Sequence, residues 1–181
     1  MVLLQAKRGI FIPMNPAPIA IRNATENDLP AMLEIYNDVI LTTTAVYSEK
    51  PHTAAMRLAW FKERTAVGFP VIVAEQNGIL VGFGSYGHFR VWPCYRFTAE
   101  HSVYVHKNYR GSGISKLLLK ELISLAKNAG LHALIAGVDS DNAVSLKLHL
   151  SFGFTQVAHF KEVGFKFGRW LDLLFLELLL E

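Results

Sequence analysis

From His101 to Ala129 the chain reads HSVYVHKNYRGSGISKLLLKELISLAKNA. Val103 and Val105 alternate with other residues as strand positions do, and a basic, glycine-spaced knot follows, Arg110-Gly111-Ser112-Gly113. Beyond the knot Ile114, Leu118, Leu122 and Ala126 recur every four residues, with Leu117, Leu125 and Ala129 beside them and Lys116, Lys120, Ser124 and Lys127 between. That is the period of an amphipathic helix. A strand that runs through a glycine turn into a helix constrains the fold strongly, because it requires a sheet with that helix packed on it. It also makes a seat for phosphate: glycines let the backbone approach, the first turn offers unpaired N–H groups, and the helix dipole favours negative charge there. The dinucleotide fingerprint fails, since Lys116 stands where its third glycine would fall, and the Gly-Lys-Ser/Thr of a P-loop is absent. What remains is Arg110-x-x-Gly113-x-Ser115.

The rest of the composition narrows the class. A chain of 181 residues, 51% hydrophobic and 18% charged, is one domain's worth with a sizeable core. The net charge of +3 is mild and Lys/Arg runs stop at two residues, which argues against nucleic acid while leaving room for a local patch that meets an anionic ligand. The single cysteine, Cys94, forms no internal disulfide and suits a reducing cytoplasm; no His/Asp pattern activates it. The seven histidines show no metal-ligand spacing, so no metal is expected. No apolar stretch reaches membrane-spanning length. Residues 1–18, with Lys7-Arg8 and a proline-rich end, read as a flexible leader rather than a signal peptide, and Met14 is a possible alternative start. Residues 19–181 form the domain.

Taken in order, Ile19–Arg22 is a short strand, and Thr25 and Asp28 supply caps for a helix with Pro30 in its first turn. Leu29, Met32, Leu33, Tyr36, Val39 and Ile40 make its apolar stripe. Leu41–Pro51 is a loop. Thr53 caps a second helix that ends near Gly68. Asn77-Gly78 joins two strands, Val71–Glu75 and Ile79–Tyr86, as a hairpin. A loose stretch, His88–Tyr95, leads to a strand from about Phe97 to Val105. After the helix of the opening stretch, Gly130 is a C-terminal stop. Leu131–Val138 is a strand apolar enough to be buried on both faces. A helix begins within Asp139–Asn142 and runs to about Phe152, and Thr155–Gly164 and Trp170–Leu180 are strands joined by Phe165–Arg169. Strands alternating with helices around a mixed sheet give an α/β or α+β sandwich.

Arg110-x-x-Gly113-x-Ser115 resembles the pyrophosphate-binding motif of the GNAT superfamily of N-acetyltransferases, with serine where that family usually has glycine or alanine. The order of elements over residues 19–180 is similar too. The resemblance implies a mixed, mostly antiparallel sheet flanked by helices and splayed at the strand that holds acetyl-CoA, the co-substrate. It implies that Val103, Tyr104 and Val105 hold the pantetheine arm and thioester, and that Arg110, Gly111, Ser112, Gly113, Ile114, Ser115 and Lys116 hold the pyrophosphate.

The run Tyr95-Arg-Phe-Thr-Ala-Glu-His-Ser-Val-Tyr-Val, the segment Asn142-x-x-Ser145-x-x-Leu148-His149, and Gly164-Phe-Lys-Phe-Gly168-Arg-Trp170-Leu-Asp172 resemble one subfamily, the phosphinothricin and methionine sulfoximine acetyltransferases. There Glu100 matches the general base. A carboxylate in an apolar strand is costly unless used or paired, so the competing reading is a salt bridge to Arg96 or Arg90. His149 stands where most of the superfamily has a tyrosine that protonates the departing thiolate. It can donate a proton or a hydrogen bond, or be a satisfied core histidine. Asn142 is a helix cap, a partner for the pantetheine arm, or both. Arg90, Val91 and Trp92, with Glu100, His101 and Ser102, are the expected acceptor-binding residues, Arg90 for a carboxylate; Lys166 is a second candidate for that carboxylate, or a subunit contact. The implied reaction is direct acetyl transfer to the α-amino group of a small amino-acid analogue, by a cytoplasmic homodimer. Rival readings are another amine acceptor (a protein N-terminus, a polyamine or an aminoglycoside) and a non-catalytic acyl-CoA-binding module.

Overall fold

The computed structural model describes residues 18–180, so the expected leader lies almost wholly outside the described residues. The elements are β1 (Ala20–Asn23), α1 (Leu29–Thr42), α2 (Ala54–Ala66), β2 (Val71–Gln76), β3 (Ile79–His88), β4 (Thr98–Val105), α3 (Ile114–Asn128), β5 (Ala133–Asp139), α4 (Ala143–Leu150), β6 (Thr155–Lys166) and β7 (Arg169–Leu179). Their sequence is the expected one. One seven-stranded sheet has the order β1-β2-β3-β4-β5-β7-β6. The β4–β5 pair is parallel and the other neighbours are antiparallel. The sheet is thus mixed and mostly antiparallel, with helices on both faces.

Each face has its own core. α3 lays Ile114, Leu118, Leu119, Leu122 and Ala126 against Val81, Ala99, Leu134, Ala136 and Leu176. It comes this close because β3 carries glycine where it crosses: a Cβ at Gly84 would lie 3.0 Å from a Leu122 methyl, and one at Gly82 3.1 Å from an Ile114 methyl. On the opposite face Leu29, Met32 and Ile35 of α1 and Phe61 of α2 cover Val71, Val73 and Phe83. Ile35 belongs to the α1 stripe although the sequence reading omitted it.

Local chemistry explains the element ends. Thr25 N–H donates to Asp28 Oδ2 at 2.7 Å, starting α1, and Arg22 forks onto the same carboxylate with two 2.8 Å bonds that tie β1 to the helix. That guanidinium holds the Asp28 carboxyl down at about 2. Thr53 Oγ1 accepts from Met56 N–H and caps α2. Asn77 and Gly78 both have positive φ, as a two-residue hairpin turn of this twist requires.

Several boundaries differ from expectation. α1 continues to Thr42, and α4 begins only at Ala143, after the Asn142 cap. β6 and β7 extend towards each other and turn at Phe167-Gly168, again both with positive φ, in place of a five-residue loop. β5 is not buried throughout: Gly137 is exposed.

Lys166 is not available to a substrate. It is fully buried, and its ammonium donates to the carbonyls of Ile40, Thr43 and Val46 at 2.6, 2.7 and 2.8 Å. A cation at the carbonyl end of α1 meets the negative end of the helix dipole and satisfies orphan acceptors. It also fixes the start of the α1–α2 loop. Replacing Lys166→Met should therefore cost about 2–4 kcal/mol of unfolding free energy, given roughly 1.5–3 kcal/mol for hydrogen bonds to a charged group and partial relief from desolvating it. A loss below about 0.5 kcal/mol in chemical denaturation would show that the three bonds do not hold the hairpin to α1.

Candidate active site

β4 pairs with β3 along seven residues, from His88↔Ala99 to Gly82↔Val105. With β5 it pairs over only three, Thr98↔Ala133 to Glu100↔Ile135. Beyond Glu100 the two strands diverge while each remains held by its other neighbour. Backbone alternation then says which groups face the gap. His106 N–H donates to Val81 O on the β3 side, and Phe97 O accepts from His132 and Ala133 on the β5 side. Counting in twos along the strand, the N–H groups of Val103 and Val105 point into the gap, and that of Tyr104 points to β3.

At the gap's mouth Gly111 and Gly113 take φ of 82° and 85°, and a Cβ on either would meet nothing within 4 Å. The turn is left-handed with open space around it, so it can admit a group to the first N–H donors of α3, at Ile114 and Ser115. Lys116 is exposed on the first turn, and Ser112 turns its hydroxyl inward to Tyr109 O at 2.5 Å. Arg110 reaches Asp38 Oδ2 and Val105 O, both at a long 3.4 Å, and stays exposed. At the neighbouring helix start Asn142 Oδ1 accepts from Ser145 N–H at 3.1 Å, which settles its cap role and leaves the amide nitrogen free. These donors fit a pyrophosphate followed by an extended amide-bearing arm.

The strand's side chains divide between its two faces. Glu100, Ser102 and Tyr104 stand on the α1/α2 face, opposite Gly87, Ser85 and Phe83. Ala99, His101, Val103 and Val105 stand on the α3/α4 face. The expected patch Glu100-His101-Ser102 is therefore not one surface. His101 is buried, its ring 5.1 Å from that of His149 and 5.5 Å from Phe154, without access to a solvent-borne acceptor. The Tyr104 ring packs edge-on to Tyr36 and against Phe83.

Glu100 is half-buried, and burial raises its pKa above the usual carboxylate range, opposed first by Arg90 and then by Arg64. Among the described residues no cation lies within 4 Å of it, so the salt bridges to Arg96 or Arg90 do not form. Arg90 is exposed; its Nη1 donates to Phe89 O at 2.7 Å and its guanidinium lies 4.1 Å from the Phe89 ring centre. Val91 and Trp92 project outward, 86% and 66% exposed. Beside Glu100 lies exposed Gly137, where a Cβ would sit 3.2 Å from Oε1. Tyr47 bounds the same face of the sheet, its hydroxyl 3.0 Å from Asp139 Oδ2 and from Asp172 O.

His149 has a defined tautomer. Its Nδ1 lies 2.7 Å from Ser145 O, and a carbonyl only accepts, so Nδ1 carries the proton. Nε2 is then a bare acceptor, and it is buried without a partner among the described residues. Burial also lowers the His149 pKa. The ring is neutral near pH 7 and has no proton on Nε2 to give until it takes one up.

The matching family model is the acetyltransferase (GNAT) family, over residues 32–154. The chain belongs to this family. The L-methionine sulfoximine/L-methionine sulfone acetyltransferase of Salmonella typhimurium is 44% identical over 90% of this chain and 95% of that protein. An N-acetyltransferase from Staphylococcus aureus Mu50 superposes with a TM-score of 0.90 at 47% identity, covering 91% of this chain and all of that one. A phosphinothricin acetyltransferase from Sinorhizobium meliloti, solved in complex with acetyl-CoA, superposes with a TM-score of 0.87 at 35% identity, over 90% and 88% of the two chains. In this GNAT protein no helix among the described residues is long and apolar enough to cross a membrane, and no cluster of three potential metal ligands occurs among them.

Two residues at the site escaped the sequence reading. Gly137 sits inside an apolar run and gives no local signal. Arg64 could have been noticed, since Arg57, Phe61 and Arg64 share one face of α2 at helical spacing.

The buried imidazole pair has a measurable consequence. Burial, and after it His149, pushes His101 down to about 3. An unfolded chain takes up a proton there near pH 6.5 while the folded one does not. The stability from this site is complete above pH ~6.5 and is lost as pH falls towards 3. In His101→Phe the fall of unfolding free energy across that window should be shallower by up to about 1.4 kcal/mol per pH unit. Parallel stability–pH curves for the two proteins would show that His101 is protonated in the fold.

Proposed function

We propose that this GNAT acetyltransferase moves the acetyl group of acetyl-CoA to the α-amino group of a small amino acid or its analogue, in a single ternary complex. Methionine sulfoximine, methionine sulfone and phosphinothricin are the acceptors suggested by its relatives. The observation that carries the reading is Glu100: a half-buried carboxylate of raised proton affinity, unpaired, on the strand whose next residues open the gap. Acetyl-CoA, when bound, supplies a thioester whose acyl carbon can be attacked by an amine. The chain's own groups do the rest. N–H groups of Val103 and Val105 orient the arm and acyl carbonyl, with the free amide of Asn142 beside them. The turn from Arg110 to Lys116 holds the pyrophosphate through the N–H groups of Ile114 and Ser115.

An α-ammonium group must lose a proton before it can attack, and Glu100 accepts that proton, directly or through one water. Its raised pKa, caused by burial, makes it a better base than a surface carboxylate. While Nε2 is bare, His149 has no hydrogen to offer the departing thiolate, so it acts there only as a proton donor, once Nε2 has taken up a proton. Cys94 is exposed on the loop before β4, and among the described residues no side chain hydrogen-bonds to it to make it a nucleophile, which supports direct transfer. That free thiol also suits a cytoplasmic setting. Arg90, Trp92 and Ser102 border the acceptor.

Two copies are proposed to meet through the β6–β7 hairpin, whose Val163, Phe165, Phe167 and Trp170 are each more than half exposed. Sedimentation should give a dimer that Trp170→Glu converts to a monomer; a monomeric wild type would remove this contact.

Thiol release from acetyl-CoA, followed across free amino acids with methionine sulfoximine and phosphinothricin included, tests the reading. Glu100→Gln should lower turnover by about 10²- to 10⁴-fold, the range for a general base. The wild-type kcat/KM should also fall on the acid side as pH drops through the raised Glu100 pKa, and the variant should lack that limb. Wild-type turnover in Glu100→Gln, or tight acetyl-CoA binding with no transfer to any amine, would overturn the assignment.

A further inference from the structure

Glu100 is flanked on its own face of the sheet by two glycines. Gly87 lies directly across the β3–β4 ladder, and Gly137 lies on the β5 side. Gly137 is open to solvent, but Gly87 is buried. The space a side chain at Gly87 would fill is taken by the Arg64 guanidinium, which arrives from the last turn of α2: a Cβ there would overlap Nη1 and Cζ and lie 2.9 Å from Nη2. Arg64 thus enters the sheet face at the ladder position opposite Glu100. Among the described residues it makes no hydrogen bond through its guanidinium and no ion pair within 4 Å. A half-buried cation and a half-buried carboxylate stand at opposed strand positions and do not close on each other. Such an arrangement is costly unless a third group satisfies both.

An α-amino acid is that group. Its carboxylate and its amine are separated by one carbon, and their charges are the reverse of those of Arg64 and Glu100. We propose that Arg64, threaded over Gly87, binds the acceptor's α-carboxylate and so delivers its amine to Glu100. This rests on the amino-acid reading given above and names the residue that enforces it. Arg90 is the other cation near Glu100, but it is exposed on a loop and one of its nitrogens is engaged by Phe89 O. Arg64 projects from a helix, half-desolvated, with its planar fork free, which suits two parallel hydrogen bonds to a carboxylate. Electrostatics agree: burial lowers the proton affinity of Arg64, while Glu63 and Glu100 act against that loss.

A purely structural arginine would support Glu100 or the fold whatever the acceptor. A carboxylate anchor matters only when the acceptor has a carboxylate. The test therefore crosses variants with acceptors: methionine sulfoximine and its methyl ester, with wild type, Arg64→Gln, Arg64→Lys and Gly87→Ala. Wild type should prefer the acid. Arg64→Gln should lose about 10- to 100-fold in kcat/KM on the acid, mostly through KM, as expected for removing charge-assisted hydrogen bonds. It should lose little on the ester, and the calorimetric Kd for acetyl-CoA should be unchanged. Gly87→Ala keeps the arginine but displaces it, and should show the same collapse of preference; Arg64→Lys should recover part of it. Gly87→Ala and Arg64→Lys decide the matter if Arg64→Gln melts below the assay temperature. Equal losses on acid and ester overturn the assignment of Arg64 and leave the acetyltransferase reading standing, as does a wild type indifferent to the carboxylate. A wild type that acetylates neither compound overturns both.

Discussion

The structure turns on the divergence of β4 from β5 after Glu100. Two parallel strands that pair for three residues and then part leave backbone donors without partners in the middle of a sheet. Such donors must be satisfied by water or by a ligand. The gap keeps its shape because neither strand is free to close it: β3 holds β4 along its whole length, and β7 holds β5 from Ala133 to Asp139. An extended ligand with amides of its own can lie there and complete the sheet. The neighbouring helix starts, at Gly113 and Asn142, place further donors at the gap's mouth.

Glycine positions decide what rests on each face of this frame. On the α3 side, Gly82 and Gly84 let the helix settle against β3, which fixes where its first turn begins and so where the phosphate seat lies. On the other side, Gly87 admits Arg64 and Gly137 leaves room beside Glu100. A single methyl added at any of the four would press on a neighbour at about 3.2 Å or less. These residues contribute to the site by what they lack, and the groups that fill or border the space come from elements far away in the chain.

That also explains which parts were legible in the sequence. Local chemistry was: the Asn77-Gly78 turn, the Thr53 cap, the Thr25–Asp28 start of α1, the stripe of α3 and the glycine turn before it all follow from residues close together. The element order and the sheet class followed from them. Relations across the sheet were not legible. His101 sits between two expected acceptor contacts in sequence, yet strand alternation turns it into the opposite core. Lys166 looked like a polar residue in a loop because the connection was drawn over Phe165–Arg169, where the turn takes only Phe167 and Gly168; its partners lie at the end of α1 and just after it, more than a hundred residues away. Arg64 gave a helical-face signal, but nothing local said that the surface it meets would be a glycine beside Glu100.

Alternation along β4 explains how one short strand can serve two chemically unlike ligands. A thioester is uncharged and needs oriented dipoles, and in the proposed complex it would be met by backbone N–H groups pointing along the plane of the sheet. The residues on the α3/α4 side of that region, His101 and Val103, are neutral or apolar, and the deep burial that keeps His101 uncharged prevents it from competing for the acceptor's proton. A zwitterionic acceptor needs opposite charges at a fixed spacing, and in the proposed complex it would be met by side chains standing perpendicular to the sheet, Glu100 from the strand itself and arginines brought from α2 and the loop before β4. The two ligands therefore approach β4 along different directions and compete for none of its groups. On that reading their reacting atoms meet where the strand leaves its neighbour, just beyond Glu100, so the proposed base stands at the junction of the two binding surfaces.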